Sequence, residues 1–579
     1  MPNMIQNAKD SISQILNAAY QKAAEKGELP AGAALSGTVE IPKDSANGDF
    51  AANHAMAGAK ALHMAPRKIA ETLIANADLA DTWFASVEVA GPGFINFRLA
   101  DRWYADVLQA VTREGADYGR SDIGHGQKVM VEFVSANPTG PMHMGNARGG
   151  VLGDALASVL DRAGYQVWRE FYVNDAGNQI EKFANSIDAR YQQLLLGEEQ
   201  VAFPEDGYHG DDIKDLAKLF YEANGDKYLT VPVAERHQAM AEFGLQRNIP
   251  KMQEDLRRYG IEYDQWFFES ELHESGYVDE SVQKLTDRGY TYEKDGALWL
   301  KTSQILAEQL LKAGKKQEEI DKLELKDDVL RRANGFYTYF AADIAYHRNK
   351  LEKRGFDKAI NVWGADHHGH VARLKGAMDA LGLDGEHRLY IVLMQLVKLT
   401  RNGEVVRMSK RTGKAISLTD LLDEIPVDAA RYFFNSRPES PVEFDLELAI
   451  RQDSENPVYY VQYAHARICT LLSALAAEGH TVPASADASL LSTPEEKELI
   501  KQLAALPEEI RLAARDYDPS RINRYVTELA ARFHRFYTVC RIKGAESDVQ
   551  AARLLLADCV RRVIAVSLGI IGVTAPEKM

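Results

Sequence analysis

The residues from Val131 to Gly150, VEFVSANPTGPMHMGNARGG, constrain the fold more than any other stretch of the chain. The alternating apolar residues Val129, Val131 and Phe133 predict a buried strand. A turn-rich segment follows, and the pattern from Val151 to Arg162 is typical of a helix. A strand, a tight loop and a helix N-terminus in this order place free backbone N–H groups and a positive dipole end beneath a phosphate.

His143 is the first candidate for chemistry in this stretch. In the first helical turn its side chain would donate to phosphate oxygens, and Gly145, which lacks a Cβ, would let a purine or ribose approach the backbone. Two simpler interpretations exist for an isolated pattern of this kind. The histidine would only satisfy a hydrogen bond within its loop, or the element would belong to a small nucleotidyltransferase. The remainder of the chain decides between them.

Length and composition limit the class of protein. A chain of 579 residues is too long for one core and predicts roughly three or four domains. Its three cysteines lack C-x-x-C spacing, which favours a reducing compartment and argues against a cysteine-ligated zinc. Without an apolar signal segment or a membrane-spanning run, we expect a cytoplasmic protein that does not enter a membrane. The net charge of −16 argues against general binding of nucleic acids such as DNA, but a local basic patch would still bind one RNA.

Residues 1–115 are predicted to form a separate α+β domain. A helical pattern runs from Ile5 to Lys26, a second helix is expected from about Ala51, and a third begins at Pro66, because proline favours the first helical position. The turn Gly91-Pro92-Gly93 separates two alternating segments, which predicts a β-hairpin. The alternating apolar residues are Val87, Val89, Ile95 and Phe97.

Residues 116–435 are predicted to form a nucleotide-binding domain of the α/β class. After the first strand and helix comes a second buried strand, Tyr165–Val173, so that a βαβ unit opens the domain. We expect ligands at the carboxyl ends of its strands. Residues from about 190 to 325 are more charged and less periodic, which indicates an insertion. Its acidic, turn-rich segment FPEDGYHGDDIKDLAKLF is interpreted as a solvated face without chemistry.

The second half of this domain contains two further candidate segments. From Gly335 to His347 the chain is aromatic and then helical, and on a helix Tyr339 and Asp343 share one face. The segment Asn361–His370 contains three histidines and an aspartate after a strand-like start. The H-E-x-x-H and H-x-x-E-H spacings of zinc enzymes are absent from it, so we predict no metal site.

A hairpin is predicted near the end of the nucleotide-binding domain, with the strand Gln395–Thr400 and the turn Arg401–Glu404. From about Pro426 the chain is predicted to be helical throughout, and residues 436–579 to form an all-α helical bundle.

The segment from Arg511 to Lys543 within this bundle has eight cations and three anions, a local excess of five positive charges in an acidic chain. Its interleaved aromatic side chains suit stacking on unpaired bases. Two of them, Tyr525 and Phe533, are expected in the core instead.

Several segments resemble known families. PTGPMHMGN resembles the HIGH signature of class I aminoacyl-tRNA synthetases, with Asn146 in place of the second histidine. RMSKRTG resembles their KMSKS signature, with Arg407 for lysine and Arg411 for serine. The segments GDFAANHAMAGAK, GPGFINFRL, YVNDAGNQI, NPVYYVQYAHARI and FHRFYTVCRI are similar to those of bacterial arginyl-tRNA synthetases. The resemblance extends over nearly the whole chain and is weakest between residues 190 and 325.

The resemblance implies a class I Rossmann-like catalytic domain with a doubly wound parallel sheet, an N-terminal α+β domain that contacts tRNA, and a C-terminal helical bundle that binds the anticodon. It implies ATP-dependent attachment of L-arginine to tRNA(Arg) through an arginyl-adenylate, with Mg²⁺ accompanying ATP and no structural metal. We expect a monomer whose partners are tRNA(Arg), L-arginine and ATP. The alternatives are a class I synthetase for another amino acid and a catalytically silent tRNA-binding paralogue.

The resemblance also implies roles for individual residues. His143 and Asn146 would serve the reacting phosphates, and Lys410 the β- and γ-phosphates, assisted by Arg407, Arg411 or Lys414. The residues expected to bind ATP are Ala136, Asn137, Pro138, Thr139, Gly140, Pro141, Met142, His143, Met144, Gly145, Asn146, Gly364, Asp366, His367, Met408, Ser409, Lys410 and Arg411. Those expected to bind arginine are Glu132, Ser135, Asn137, Tyr339 and Asp343. Those expected to bind tRNA are Asn47, Asn53, Tyr463, Arg467, Arg532, Arg535 and Tyr537.

Overall fold

The computed structural model describes residues 3–395, 397–406, 416–436 and 442–579. Its N-terminal part packs helices on a four-stranded antiparallel sheet of order β1-β2-β4-β3. The helices are α1 (Met4–Glu25), α2 (His54–Leu62), α3 (Pro66–Asn76) and α4 (Asp101–Glu114). The strands are β1 (Val39–Glu40), β2 (Phe50–Ala52), β3 (Phe84–Ala90) and β4 (Phe94–Leu99).

Most elements predicted for this part are confirmed. The helix near Ile5, the helix at Pro66 and the hairpin around the Gly-Pro-Gly turn are all present. The start of the second helix is wrong, because Phe50–Ala52 pair with β4 and α2 begins only at His54. All three residues of that short strand are buried, and pairing in the sheet satisfies their backbone groups before the helix starts.

The central part is built on a five-stranded parallel sheet of order β12-β11-β5-β6-β7. The strands of the central part are β5 (Lys128–Glu132), β6 (Gln166–Val173), β7 (Gln265–Phe268), β8 (Thr291–Lys294), β9 (Ala297–Leu300), β10 (Asp328–Arg331), β11 (Lys358–Gly364), β12 (Leu389–Met394), β13 (Val397–Arg401) and β14 (Glu404–Val405). Its helices are α5 (Met144–Arg162), α6 (Asn178–Leu196), α7 (Asp211–Asn224), α8 (Val233–Arg258), α9 (Glu269–Glu274), α10 (Tyr277–Asp287), α11 (Thr302–Lys312), α12 (Gln317–Ile320), α13 (Tyr339–Arg348), α14 (His368–Ala380), α15 (Gly385–Arg388), α16 (Leu418–Glu424) and α17 (Val427–Phe434).

The strand order reverses between β5 and β11, which is the arrangement of a doubly wound fold. The first strand, the first helix and the second strand of the βαβ unit are present, and the helix starts seven residues earlier than its pattern predicts. The start differs because the Met144–Gly150 segment is rich in glycine and lacks an apolar period, although it caps and continues the same helix. The strand and turn at the end of this part are confirmed as β13 and β14.

The region predicted as an insertion is more closely joined to the sheet than its composition suggests. Its segment Gln265–Phe268 is β7, which pairs with β6 at the edge of the parallel sheet. Helices α6, α7 and α8 enclose a separate apolar core that includes Phe183, Tyr191 and Phe220. Strands β8, β9 and β10 form a small antiparallel sheet.

The C-terminal part is a bundle of long helices preceded by one strand. Its elements are β15 (Val442–Asp445), α18 (Leu446–Ile450), α19 (Pro457–Ala477), α20 (Pro494–Asp516), α21 (Ser520–Val539) and α22 (Ser547–Ile570). The prediction of helix throughout is therefore wrong at β15, which pairs in parallel with β13. The prediction that Tyr525 and Phe533 are buried is confirmed. Among the described helices, none is both long and apolar enough to span a membrane.

Arg431 on α17 is buried where the parts of the chain meet. Its guanidinium donates to Asp154 on α5 at 2.5 Å, to the carbonyl of Tyr259 at 3.0 Å and to the carbonyl of Ile571 at 3.1 Å. A Cβ on Gly572 would lie 2.0 Å from this guanidinium, so only glycine fits there. Helix α5 is thereby fixed relative to the end of the last helix.

Candidate active site and RNA-binding surface

A cleft of about 770 Å³ opens at the carboxyl ends of four parallel strands. Glu132 ends β5, Tyr172 and Val173 end β6, Gly364 ends β11 and Met394 ends β12. All of these except Val173 line the cleft. The cleft therefore lies at the point where the strand order reverses, which is where doubly wound folds bind ligands.

The N-terminus of α5 forms one wall of the cleft. His143 caps this helix, and its backbone N–H donates to Asn146 Oδ1 at 2.9 Å. The oxygen of Asn146 is thus committed to the backbone, and its NH₂ group is the part that suits a phosphate oxygen. No atom of the described residues lies within 4 Å of a Cβ placed on Gly145, so the space above it suits a ligand.

The loop between β5 and α5 is strained. Val134 and Ser135 both have positive φ, 70° and 42°, which a β-branched valine rarely adopts. Both residues line the cleft. Asn248 on α8 donates its amide to the Pro138 carbonyl at 2.8 Å and so helps hold the loop. Strain of this kind is typical of loops whose conformation serves a ligand.

Most of the residues predicted to bind ATP or arginine line this cleft. They are Glu132, Ser135, Ala136, Asn137, Thr139, Gly140, Pro141, Met142, His143, Asn146, Asp343, Gly364, Asp366 and His367. Pro138, Met144, Gly145 and Tyr339 are not among the lining residues. Arg407, Met408, Ser409, Lys410, Arg411 and Lys414 lie outside the described residues.

The insertion supplies a wall that sequence reasoning missed. Tyr208, His209, Gly210 and Asp212 line the cleft, although their acidic segment was interpreted as a solvated face. Asp212 faces the nucleotide loop, since a Cβ on Gly140 would lie 3.2 Å from its carboxylate. The density of turn residues in FPEDGYHGDD was the available signal, because functional loops use such residues. Nothing in the local pattern shows which cleft the loop reaches.

A buried polar network lies beneath the cleft. Lys350 is fully buried, its ammonium lies 2.5 Å from Glu132 Oε2, and it also donates to Asn361 Oδ1 at 3.1 Å. Asn361 Nδ2 lies 2.6 Å from Nε2 of His347, whose Nδ1 lies 2.8 Å from the Asp343 carbonyl. Burial and then the Lys350 charge hold the pKa of His347 well below its ordinary value, so this ring is neutral.

This network changes the expected role of Glu132. The charge of its carboxylate is balanced by Lys350, and its second oxygen accepts from Ser135 Oγ at 2.9 Å. A substrate ammonium would therefore meet a carboxylate that already has a cationic partner.

Asp343 and Tyr339 stand one turn apart at the start of α13, as predicted from their spacing. The Asp343 carboxylate faces the cleft and accepts from His370 Nε2 at 3.0 Å. Tyr339 is 42% exposed, and partial burial raises the pKa of its hydroxyl. Among the described residues, no three His, Cys, Asp or Glu side chains come together as a metal site requires.

Three protein-family models match successive parts of the chain. The arginyl tRNA synthetase N terminal domain matches residues 6–99, the catalytic domain of class I (R) tRNA synthetases matches residues 107–442, and the DALR anticodon binding domain matches residues 461–579. The chain belongs to the arginyl-tRNA synthetase family of class I.

Curated relatives agree with this membership, and a solved structure has the same fold. The arginine–tRNA ligase of Acetivibrio thermocellus is 52% identical and that of Caldanaerobacter subterraneus subsp. tengcongensis 54% identical, each over 582 residues and all of both chains. The arginyl-tRNA synthetase of Thermus thermophilus shares the fold, with a TM-score of 0.72, 22% identity, and coverage of 97% of this chain and 99% of that chain.

Three of the residues predicted to bind RNA, Tyr463, Arg467 and Tyr537, lie together with Tyr459 and His534 in an aromatic platform, of which Tyr463 is exposed and the other four are half-buried. Tyr463 is parallel to Tyr459, with ring centroids 6.1 Å apart, and stacks on His534 at 6.0 Å. The Arg467 guanidinium lies 4.1 Å from the centre of the Tyr537 ring. Parallel rings beside a guanidinium suit the stacking of unpaired bases.

Most cations of the Arg511–Lys543 segment pair with carboxylates, so the excess of positive charge in its sequence is not an excess of free cations on the surface. Arg532 pairs with Glu498 and Glu528, each at 2.8 Å, and Arg535 with Glu495 at 3.2 Å. Two of these three carboxylates come from α20, outside the segment whose charges were counted. Other cations of the segment have acidic partners in the same way, with Arg511 on Glu508, Arg521 on Glu509 and Lys543 on Glu478.

The two asparagines predicted to contact tRNA in the N-terminal domain differ. Asn47 is exposed in a short 3₁₀ turn. Both polar atoms of the Asn53 amide are engaged by Thr38, since Oδ1 accepts from its N–H at 2.7 Å and Nδ2 donates to its Oγ1 at 2.9 Å. Asn53 therefore stabilises the chain before α2 rather than presenting a free amide.

Proposed function

We propose that the cleft joins ATP and L-arginine to form arginyl-adenylate, and that the chain then transfers arginine to its tRNA. The observation that most supports this is the presence of two different sites in one cleft. The N-terminus of α5, with His143 and Asn146, and Asp343 on α13 both line it. A phosphate suits the first site and a guanidinium the second.

In the first step, an oxygen of the arginine carboxylate forms a bond to the α-phosphorus of ATP. The bond from that phosphorus to the bridging oxygen breaks, and pyrophosphate leaves with the electron pair. In the second step a hydroxyl of the terminal ribose of tRNA attacks the arginyl carbonyl carbon, and AMP leaves. No covalent intermediate on the protein is required, so catalysis consists of positioning and charge stabilisation.

The nucleotide is assigned to the loop after β5. The helix dipole and the backbone N–H groups at the start of α5 favour the phosphates, and His143 donates where charge develops in the transition state. Lys410, assisted by Arg407, Arg411 or Lys414, is assigned to the β- and γ-phosphates. Mg²⁺ enters as a complex with the ATP phosphates.

Arginine is assigned to the part of the cleft lined by α13. Asp343 accepts from the guanidinium, and Tyr339 covers its side chain. Ser135, Asn137 and Glu132 are assigned to the α-amino and carboxylate end beside the phosphates, with Glu132 as a hydrogen-bond acceptor whose charge Lys350 already balances. We assign tRNA to the N-terminal domain and the aromatic platform, and we propose a monomeric cytoplasmic protein that does not bind DNA.

Amino-acid-dependent exchange of pyrophosphate into ATP tests the proposal, performed with each of the twenty amino acids, with and without tRNA. The expected outcome is exchange that depends on arginine and occurs with none of the other nineteen amino acids. Exchange with a different amino acid would assign the chain to that substrate, and tRNA binding without exchange would indicate a silent paralogue.

A further inference from the structure

A row of hydrogen bonds leads away from Asp343 into the protein. His370 Nε2 lies 3.0 Å from Asp343 Oδ2, and His370 Nδ1 lies 3.2 Å from an Nη2 atom of Arg373. Arg373 in turn donates to Asp328 Oδ1 at 2.6 Å, and Asp328 accepts from Thr302 at 2.8 Å. The row connects α13, α14, β10 and α11.

The partners of His370 determine where its proton lies. An arginine guanidinium has only donors, so Nδ1 of His370 must accept from Arg373 and bears no hydrogen. The ring proton is then on Nε2, where it is donated to Asp343. In this arrangement His370 is a neutral donor to the carboxylate.

The rings around His370 fix its plane. Phe340 meets it edge to face with centroids 5.2 Å apart, and Trp363 lies 5.7 Å away on the cleft side. The Arg373 guanidinium also lies over the Phe340 ring at 5.6 Å. The hydrogen bond to Asp343 therefore has one orientation available.

We propose that His370, whose Nε2–H tautomer is set by Arg373, is a specificity-determining residue that orients Asp343 and leaves its negative charge for the guanidinium of arginine. The inference rests on the proposed function, because it assumes that Asp343 receives the substrate. A neutral donor fixes one carboxylate oxygen without cancelling its charge. A histidinium would pair with Asp343 and leave a net charge near zero, which would weaken the binding of any cationic side chain.

Exchange kinetics of His370→Ala and His370→Gln test the orienting role. His370→Ala should raise the KM for arginine roughly 10- to 100-fold, the range for losing a hydrogen bond to a charged group, with little change in the KM for ATP. Glutamine keeps a neutral N–H donor and should recover most of the loss. His387→Ala is the matched control, because His387 pairs with Asp384 at 2.8 Å on the surface and should leave both constants unchanged.

The Asp343→Asn background separates this inference from the proposed function. There His370→Ala should change the KM for arginine less than about 2-fold, because the two residues act as a unit. If Asp343→Asn itself leaves the arginine KM unchanged, the assignment of the arginine site fails. If Asp343→Asn is severe but His370→Ala is silent in the native background, only the role of His370 is overturned.

Arg373→Met tests whether Arg373 sets the tautomer of the ring. Without the Arg373 donors, Nδ1 of His370 need not accept, so the ring can carry its hydrogen on Nδ1 instead of donating to Asp343, and the KM for arginine should rise. Adding His370→Gln to Arg373→Met should recover most of the loss, because the glutamine amide keeps its donor without help from Arg373. A loss of equal size in the double variant would contradict the proposal.

Discussion

Beneath the cleft, the ammonium of Lys350 is fully buried and lies 2.5 Å from Glu132, whereas on the C-terminal bundle the Arg535 side chain is 74% exposed and lies 3.2 Å from Glu495. Both are ion pairs between residues distant in the sequence. A buried charge depends on its partner, because water cannot replace it. An exposed pair contributes about 0–1 kcal/mol, so an incoming phosphate can displace its carboxylate at little cost.

The difference bears on how an acidic chain binds RNA. The bundle keeps its arginines among carboxylates, which lowers their attraction for nucleic acids in general. We propose that the aromatic platform beside them supplies stacking that is independent of net charge. In the cleft, the buried pairs instead fix the positions of groups that face two substrates. Substitutions of single residues in the cleft and on the bundle test whether the two regions differ in this way.

The largest effect is expected from Lys350→Met, which removes the cation and leaves Glu132 buried without it. The free energy of unfolding of the catalytic domain should fall by about 3–5 kcal/mol, measured as the shift of its denaturant transition in the whole chain. Lys22→Met is the matched control, because Lys22 pairs with Asp78 at 3.9 Å with both side chains at least half exposed. Glu132→Gln should restore much of the stability of Lys350→Met. A Lys350 variant as stable as the control would show that the cleft tolerates an unpaired charge.

His143→Ala should have the next largest effect. The loss of one preorganised donor at the developing charge should lower kcat for adenylate formation about 10²- to 10³-fold, with a small change in the KM for ATP. Single-turnover and steady-state pyrophosphate exchange measure the two constants. A large rise in KM with kcat intact would mean that His143 binds ground-state ATP and transition state equally.

The comparison also explains what the sequence predicts well. The loop after β5, the α13 pair and the hairpin before residue 407 are contiguous, so local spacing suffices to find them. Lys350 and the Tyr208–Asp212 wall reach the cleft only through the arrangement of distant elements, which no local pattern encodes. The charge balance of the Arg511–Lys543 segment does not describe its surface for the same reason, since Glu495 and Glu498 belong to a neighbouring helix. The strand β15 is missed because its pairing partner β13 is more than forty residues earlier in the chain.

A moderate effect is expected from Tyr463→Ala on the aromatic platform. Stacking of one base on an aromatic side chain contributes about 1–3 kcal/mol, so the Kd for tRNA should rise by roughly 5- to 150-fold. Tyr463→Phe keeps the ring and should bind nearly as well as the native protein. Tyr221→Ala is the control, since Tyr221 is equally exposed on α7 in the insertion. Filter binding at one fixed salt concentration distinguishes these variants. Equal loss in the Phe and Ala variants would mean that the hydroxyl, not the ring, makes the contact.

The smallest effect is expected from replacing single arginines of α21. The size of this effect should differ between Arg535 and Arg532. Arg535 is mostly exposed with one distant partner, whereas Arg532 is held between Glu498 and Glu528. Arg535→Ala should flatten the dependence of log Kd for tRNA on log salt by about one unit, the change for one lost phosphate contact. Arg532→Ala should leave that slope unchanged, because its charge is already compensated by two carboxylates. Binding measured from low to moderate salt checks both variants. Equal salt slopes for the two variants would mean that pairing with carboxylates does not decide which arginine contacts the RNA backbone. The number of carboxylate partners would then not predict how an exposed arginine of this surface behaves.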